Sequence, residues 1–252
     1  YRSFIIGVGG SATNDGGAGA LQALGLELLT SQGTPIERGG QQLIQIASIH
    51  SETLHPAIAQ STFRIATDVT NPLTGLMGAT AIFSEQKGAT PTMKRQLEEG
   101  MVHFEKLIAQ TTGHQLANTP GAGAAGGLAG GLMAFLPATL TSGIEELLQH
   151  LEATDWLADV DHLITGEGKS DAQTLEGKAP MGLARLAKQY QLPIHLFSGQ
   201  LEEEKELLQW FTSCHSILSL GVTEEQAMTN PIPYLKQLSR SWIEELIKTQ
   251  QK

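Results

Sequence analysis

The chain has 252 residues, 40% of them hydrophobic, which is enough for one large or two modest globular domains. Its formal net charge of −10 argues against a nucleic-acid-binding surface but is compatible with a small anionic substrate held by local amides and cations. A single cysteine, Cys214, excludes internal disulfides, and we see neither a membrane-spanning apolar run nor a signal peptide, so we expect a cytoplasmic protein without a membrane partner.

The first predicted element is a strand over residues 3–8, whose apolar residues 4–6 indicate a buried position. It leads into a segment with six glycines, residues 7–19, which we call the glycine-rich loop, and then into a helix predicted over residues 20–29. Backbone amides between a strand and a helix can surround an anion. The loop also carries directed polar side chains, namely Ser11, Thr13, Asn14 and Asp15.

Known phosphate-binding motifs fit this loop poorly. The Walker A ending Gly-Lys-Ser occurs at residues 168–170, but position 163, where that motif needs its first glycine, is a leucine. The dinucleotide fingerprint is met at Gly7 and Gly9 and has Ala12 at its third position, so a nicotinamide dehydrogenase is a weak alternative. A tight strand–helix packing turn is the structural alternative to a ligand site.

The remaining elements alternate between strands and helices along the chain. From about residue 156 the order is βαβαβα, which predicts parallel strands and an α/β fold. Thr90 and Pro91 are typical of a helix N-cap and first helical position. Strands are predicted at 63–67, 79–83, 161–165, 194–198 and 215–219, and helices at 91–111, 128–136, 179–189, 202–211 and 232–249.

Five ordered sequence blocks carry a resemblance to a known family. They are GGSATNDGGAG at 9–19, TDVTNPL at 67–73, QKGATP at 86–91, PGAGAAGG at 120–127, and ITGEGKSDAQT at 164–174 with GKAP at 177–180. Together they resemble the bacterial class I glycerate kinases. The match extends over much of the chain and is far more specific than any one block.

The resemblance implies a two-domain α/β fold. Residues 1–155 would form an inserted α/β domain with the glycine-rich loops, and residues 156–252 the C-terminal half of a flavodoxin-like, parallel-sheet domain. Such kinases normally also carry an Asp-Ser-Phe-Lys-like loop near the start and an Ala-Asp-Gly-Gly-Glu-Gly segment, and neither occurs here. We therefore expect the chain to correspond to the C-terminal two-thirds of a longer polypeptide, whose N-terminal segment would complete the fold.

The function that the resemblance implies is phosphorylation of D-glycerate with ATP and Mg²⁺, and 2-phosphoglycerate is the favoured product. The alternative is a non-catalytic fragment that binds a small anion or a nucleotide. Phosphoryl transfer requires amides and cations around the phosphates, a carboxylate-held Mg²⁺ and an aligned hydroxyl nucleophile.

Asp171 is the first candidate for the catalytic carboxylate and for the metal ligand. It lies close to a predicted strand end, where α/β proteins place ligand contacts, although it could instead cap a helix. Asp68, at the end of another predicted strand, is the second candidate, with an Asx-turn as its structural alternative.

Lysines are few, so their positions carry information. Lys178 lies at the start of a predicted helix, where the helix macrodipole does not favour a cation. This unfavourable position indicates that the lysine contacts a phosphate or carboxylate and has a catalytic role. Lys87 is similarly placed in a loop, and either lysine could instead be a plain surface residue. Lys169 is interpreted as a surface residue.

Further candidates would bind the substrate or its phosphate. Asp15 could instead cap the helix that begins near residue 18, and the loop around Gly123 could instead be a tight helix entry. No histidine pair has zinc-ligand spacing, and no Gly-x-Ser-x-Gly elbow is present, so zinc and acyl-transfer chemistry are not expected. The predicted binding residues are Gly9, Gly10, Ser11, Asn14, Asp15, Gly123, Gly166, Glu167, Gly168 and Thr174.

Overall fold

The computed structural model of the protein describes residues 1–152, 157, 159–175 and 177–250. The chain divides into two compact units, Tyr1–Gly143 (unit 1) and Ile144–Lys252 (unit 2). Both contain parallel sheets and helices, which confirms the predicted two-domain α/β class. The predicted domain boundary, between residues 155 and 156, falls within residues 153–156, which lie outside the described residues. That unit 1 is an inserted domain and that unit 2 is flavodoxin-like both stay predictions. Within the described residues, no helix is long and apolar enough to cross a membrane.

Unit 1 contains five strands in two sheets. The order in the larger sheet is β1-β4-β5, all parallel, while β2 and β3 form an antiparallel pair. The strands are β1 (Ser3–Gly7), β2 (Glu27–Leu29), β3 (Ser48–His50), β4 (Thr62–Ala66) and β5 (Ala138–Thr141), and the helices are α1 (Ala18–Ala23), α2 (Ala79–Phe83), α3 (Pro91–Thr112), α4 (Leu128–Phe135) and α5 (Gly143–His150), the last running into unit 2.

Helix α3 supplies much of the core of unit 1. Thr90 caps it as predicted, because its hydroxyl accepts the amide of Met93 at 3.3 Å, and Pro91 opens its first turn. The side chains that α3 buries completely are Met101, Phe104 and Ile108.

Unit 2 has one parallel sheet of order β6-β7-β8 within its described residues, as the βαβαβα pattern predicts. One face packs against a core that includes Met181, Leu196 and Phe211, and Trp242 covers part of the other face. The elements are β6 (Leu163–Ser170), β7 (Ile194–Leu201), β8 (Ser213–Ser216), α6 (Ala172–Leu175), α7 (Ala179–Gln189), α8 (Glu204–Leu207), α9 (Glu224–Thr229) and α10 (Pro231–Gln250).

Three predictions in unit 1 are wrong. The helix over 20–29 ends at Ala23, because Gly25 has a φ of 99° and the chain turns into β2. Residues 79–83 form α2 rather than a strand, since an apolar run of this length does not distinguish the two. Strand β1 is not buried: Phe4 is 38% and Ile5 43% exposed, as β1 is an edge strand among the described residues.

The predicted limits in unit 2 also need correction. Strand β6 continues to Ser170 and β7 to Leu201, beyond the predicted limits, because the two strands stay paired and Gly166 and Gly199 allow their backbones to pack closely. The helix predicted over 202–211 is regular only over four residues, and the strand predicted over 215–219 ends at Ser216.

Candidate active site

Four of the five sequence blocks lie in unit 1, and parallel strand order brings three loops to one edge of its sheet. Strands β1, β4 and β5 run in the same direction. The glycine-rich loop follows β1, Asp68 lies two residues after β4, and Ser142 follows β5. Ligand sites of open parallel sheets lie at such carboxyl ends.

Backbone packing fixes the glycine-rich loop against residues 120–127. The amide of Gly16 donates to the carbonyl oxygen of Gly126 at 3.0 Å. A Cβ atom at Gly126 would collide with the carbonyl oxygen of Thr13, and one at Gly131 with that of Gly16. Glycine is therefore required at these two positions because the backbones approach each other closely. This agrees with the structural alternative named above, a tight packing turn.

Asp15 uses its carboxylate to cap α1. Oδ1 accepts the amide of Gly17 at 3.0 Å and Oδ2 that of Gly19 at 3.1 Å, which is the capping alternative named above. Asn14 donates Nδ2 to the buried hydroxyl of Thr80 at 3.1 Å, and its buried Oδ1 has no hydrogen-bond partner within the described part of the chain. Both side chains thus shape the loop from within.

Lys87 contacts the glycine-rich loop directly. Its Nζ donates to Ser11 Oγ at 2.9 Å and to the carbonyl oxygen of Thr13 at 2.7 Å. Burial lowers the pKa of Lys87, and the negative charge of Asp15 partly opposes this. The sequence indicates an anion contact for Lys87 as for Lys178, but these partners, which lie more than 70 positions earlier, could not be predicted.

Asp68 joins two of the loops at this edge of the sheet. Its Oδ1 accepts the hydroxyl of Ser142 at 3.2 Å and the amide of Gly143 at 3.0 Å. It makes neither of these bonds within its own turn, so the Asx-turn alternative does not describe it. The residue is exposed to solvent.

The predicted glycines of unit 1 differ in environment. A Cβ atom at Gly9 or Gly10 would meet no atom within 4 Å. Gly123 is buried, its amide donates to Asn71 O at 2.9 Å, and a Cβ atom there would collide with Pro72 O. Gly9 and Gly10 are therefore open to a ligand, whereas Gly123 serves backbone packing.

In unit 2, Glu167 lies inside β6 and is held by two hydroxyls. Its Oε1 accepts Ser170 Oγ at 2.9 Å and Thr174 Oγ1 at 2.6 Å, and Ser198 Oγ lies 2.5 Å from Ser170 Oγ. All three hydroxyl residues are buried. The cluster fixes the orientation of the carboxylate; Ser170 and Ser198 were not predicted as site residues.

Asp171 is the first residue after β6, so the corrected end of that strand places it where a ligand contact is expected. Its Oδ1 accepts the amide of Gln173 at 2.9 Å and lies 3.8 Å from Lys178 Nζ. The amide of Asp171 donates to Thr174 Oγ1 at 3.1 Å. The structure therefore brings Asp171, Lys178, Thr174 and Glu167 into one hydrogen-bonded and ionic group.

A cleft of about 840 Å³ lies on unit 2 beside β6 and β7. Gly166, Glu167 and Gly168 line it from β6, and Phe197 and Ser198 line it from β7. A Cβ at Gly166 would collide with the Phe197 carbonyl oxygen, while one at Gly168 would meet nothing within 4 Å. Lys169 also lines the cleft, and its Nζ lies 2.9 Å from Glu202 Oε1.

Metal binding at Asp171 is compatible with the local donors. The described residues contain no group of three or more His, Cys, Asp or Glu side chains that could hold an ion. Mg²⁺ commonly takes only one or two carboxylates and keeps several waters and substrate phosphates. Asp171 offers Oδ2 and Glu167 offers Oε2, since the hydrogen bonds described above use the other oxygen of each carboxylate.

Comparisons with known proteins give one consistent result. A family model described as "Glycerate kinase family" matches residues 1–247. The chain is 47% identical over 207 residues to a glycerate kinase of Haemophilus influenzae, covering 82% of this chain and 55% of that protein. It is 42% identical over 242 residues to a glycerate kinase of Halalkalibacterium halodurans, covering 95% and 64%.

Two further relatives extend this result. A glycerate 2-kinase of Escherichia coli is 43% identical over 202 residues, covering 80% of this chain and 53% of that protein. A crystal structure assigned as a glycerate kinase 2 from Salmonella typhimurium LT2 matches all of this chain and 66% of its own, with a TM-score of 0.79 and 39% identity. The chain thus spans between about half and two-thirds of the length of these relatives.

Proposed function

The chain belongs to the glycerate kinase family, and from this premise we propose that it phosphorylates D-glycerate with ATP, giving 2-phosphoglycerate. The observation that carries the proposal is the family match over residues 1–247, which includes both the glycine-rich loop and the carboxyl end of β6. The similarity to a glycerate 2-kinase supports the choice of product. We also propose a cytoplasmic location.

The glycine-rich loop is assigned to binding. Among the described residues, the amides of Gly9, Gly10 and Ser11 donate no hydrogen bond, and a Cβ atom at either glycine would meet nothing within 4 Å. The ammonium of Lys87 contacts the same loop. Oxyanions are held by such amides and by cations, whether they are carboxylates or phosphates. The loop therefore suits one of the anionic groups of D-glycerate or ATP.

The carboxyl end of β6 is assigned to the chemistry. A carboxylate near the substrate hydroxyl accepts its proton as the oxygen bonds to the γ-phosphorus of ATP, while the bond from that phosphorus to the β–γ bridging oxygen breaks and ADP leaves. Asp171 is the proposed acceptor, Lys178 the proposed neighbour of the transferred charge, and Glu167 with Thr174 the proposed contacts to substrate hydroxyls. Asp68 is the second carboxylate to test.

Mg²⁺ would be held by Asp171 together with substrate phosphates, and it would neutralise the charge that develops on the phosphoryl oxygens. The 3.8 Å separation from Lys178 leaves the Asp171 carboxylate only loosely paired. Its side chain is 23% exposed, and its hydrogen bond to Gln173 uses Oδ1 rather than Oδ2.

The direct test is an ADP-release assay with D-glycerate, ATP and Mg²⁺, followed by ³¹P NMR of the product. We expect D-glycerate-dependent turnover and the signal of 2-phosphoglycerate. Absence of turnover above background would refute the proposal. Binding of D-glycerate or ADP without turnover would favour the alternative of a non-catalytic binding module.

A further inference from the structure

The ammonium of Lys87 is held on the glycine-rich loop with unused binding capacity. Lys87 ends a 3₁₀ turn over Glu85–Lys87, and its Nζ reaches Ser11 Oγ and the carbonyl oxygen of Thr13. An ammonium carries three donors, and these two contacts occupy two of them. The third N–H group is left for another acceptor.

No carboxylate lies within ion-pairing distance of Lys87 in the part of the chain that the structure describes. The carboxylate of Asp15 acts on it electrostatically, but both oxygens of Asp15 accept backbone amides. Lys87 is half-buried, and removing a charge from water without a paired counter-charge is unfavourable. This arrangement indicates an anion that comes from outside the chain.

The backbone beside this ammonium also has free donors. Among the described residues, the amides of Gly9, Gly10 and Ser11 donate no hydrogen bond. Gly9 does not have a left-handed φ, and a Cβ atom there would meet nothing within 4 Å. Neither backbone conformation nor packing therefore requires glycine at position 9, whereas close approach of a ligand would.

We infer that Lys87, together with the amides of Gly9, Gly10 and Ser11, binds an oxyanion of the substrates. The ligand chemistry is a carboxylate, as in D-glycerate, or a phosphate, as in ATP. The inference rests on the proposed function for the identity of these two molecules. It assigns a substrate-binding role to Lys87, which the sequence left open between an anion contact and a surface position and which is absent from the predicted binding residues.

The test compares Lys87→Met, Lys87→Gln and Lys87→Arg by steady-state kinetics. A charge-assisted hydrogen bond corresponds to about a 10- to 100-fold change in affinity. Lys87→Met and Lys87→Gln should raise the KM of one substrate by this factor, and Lys87→Arg should raise it less. An increased KM for D-glycerate identifies the carboxylate as the ligand, and an increased KM for ATP identifies a phosphate.

A second measurement does not depend on turnover. Thermal shifts of each variant are recorded with D-glycerate, ADP and inorganic phosphate added separately. Lys87→Met and Lys87→Gln should lose the shift with the ligand that Lys87 binds, while the matched control Lys106→Met, an exposed lysine on α3, should keep it. If the unmodified protein shows ligand shifts but no turnover, the proposed function fails and the Lys87 site is still tested.

The outcomes that overturn the inference are specific. If Lys87 had only a structural role, Lys87→Gln, which keeps an N–H donor, would have the same KM values and ligand shifts as the unmodified protein. Gly9→Ala covers the case in which Lys87 variants do not fold, because its Cβ atom meets no neighbour and the protein should keep its Tm. It should raise the same KM or reduce the same shift, and unchanged binding in Gly9→Ala would reject the oxyanion site.

Discussion

The glycine-rich loop of unit 1 and the carboxyl end of β6 in unit 2 present opposite chemistries. The loop offers donors, which are the amides of Gly9 to Ser11 and the ammonium of Lys87. The end of β6 offers acceptors, which are the carboxylates of Glu167 and Asp171. Donors suit an oxyanion, and carboxylates suit a proton or a cation, so the proposed roles of the two regions differ.

The two regions also keep their shape by different means. The loop is held mainly by backbone packing among glycines, with Gly16 bonded to Gly126. The end of β6 is held by side-chain hydrogen bonds among Glu167, Ser170 and Thr174. Adding an atom at a closely packed glycine should therefore destabilise the loop, whereas removing a hydroxyl should destabilise the end of β6.

The largest expected effect on stability is that of Gly126→Ala. The new Cβ atom would collide with the carbonyl oxygen of Thr13, and the φ of 68° is unfavourable for alanine. We expect a loss of about 3–5 kcal/mol in the free energy of unfolding, measured by urea denaturation. Gly9→Ala is the matched control and should unfold as the unmodified protein does; equal stability of both variants would disprove the packing argument.

The next largest effect concerns acid stability and sharpens the description of unit 2 as a side-chain network. His195 is buried and forms a hydrogen bond at each ring nitrogen. Its Nε2 lies 3.0 Å from His162 Nδ1, and its Nδ1 lies 2.7 Å from Ser213 Oγ. The hydroxyl of Ser213 also lies 2.7 Å from His215 Nε2. Its ring lies 4.7 Å from that of Trp242. Burial, and then the charges of His162 and His215, lower the pKa of His195 to about 4.

The direction of the pH effect follows from this lowered pKa. The unfolded chain binds the proton near pH 6.5 and the folded chain only near pH 4, so the stabilisation is complete above pH 6.5 and is lost as pH falls towards 4. We expect a loss of up to about 3 kcal/mol across this range. His195→Asn should show a shallower decrease in urea unfolding series, and exposed His114→Asn should not; identical slopes for His195→Asn and the unmodified protein would argue against this assignment.

Thr174→Val should have a smaller effect. Valine has nearly the same shape but leaves the amide of Asp171 and one bond of Glu167 without a partner. The expected loss is about 1–2 kcal/mol in the free energy of unfolding. Exposed Thr229→Val serves as the control, and a Thr174→Val protein of unmodified stability would show that the hydroxyl network does not hold the end of β6.

Structural features that depend on a single short segment could be predicted from the sequence. The Thr90–Pro91 start of α3, the limits of α7 and the position of the glycine-rich loop between β1 and α1 all depend on neighbouring residues. Residues 79–83 were misassigned because short apolar runs suit either element. Asp15 was predicted to bind substrate or to cap a helix, and in the structure both of its carboxylate oxygens accept amides at the start of α1.

Contacts between distant segments could not be predicted in this way. The contact of Lys87 with Ser11, the bonds of Asp68 to the loop after β5, and the imidazole chain around His195 depend on strand order. Likewise, β6 extends past Gly166 because it pairs with β7 as far as Leu201. The residue types of the site were therefore readable from the sequence, but their partners were not.

The measurement that most directly tests the assignment of chemistry to the end of β6 is kcat for Asp171→Asn. Asparagine can still accept the amide of Gln173, so helix capping and stability should be kept. Loss of a positioned acid–base carboxylate should lower kcat by about 10²-fold or more. A folded Asp171→Asn protein with near-unmodified kcat would contradict the account and leave Asp171 as a helix cap.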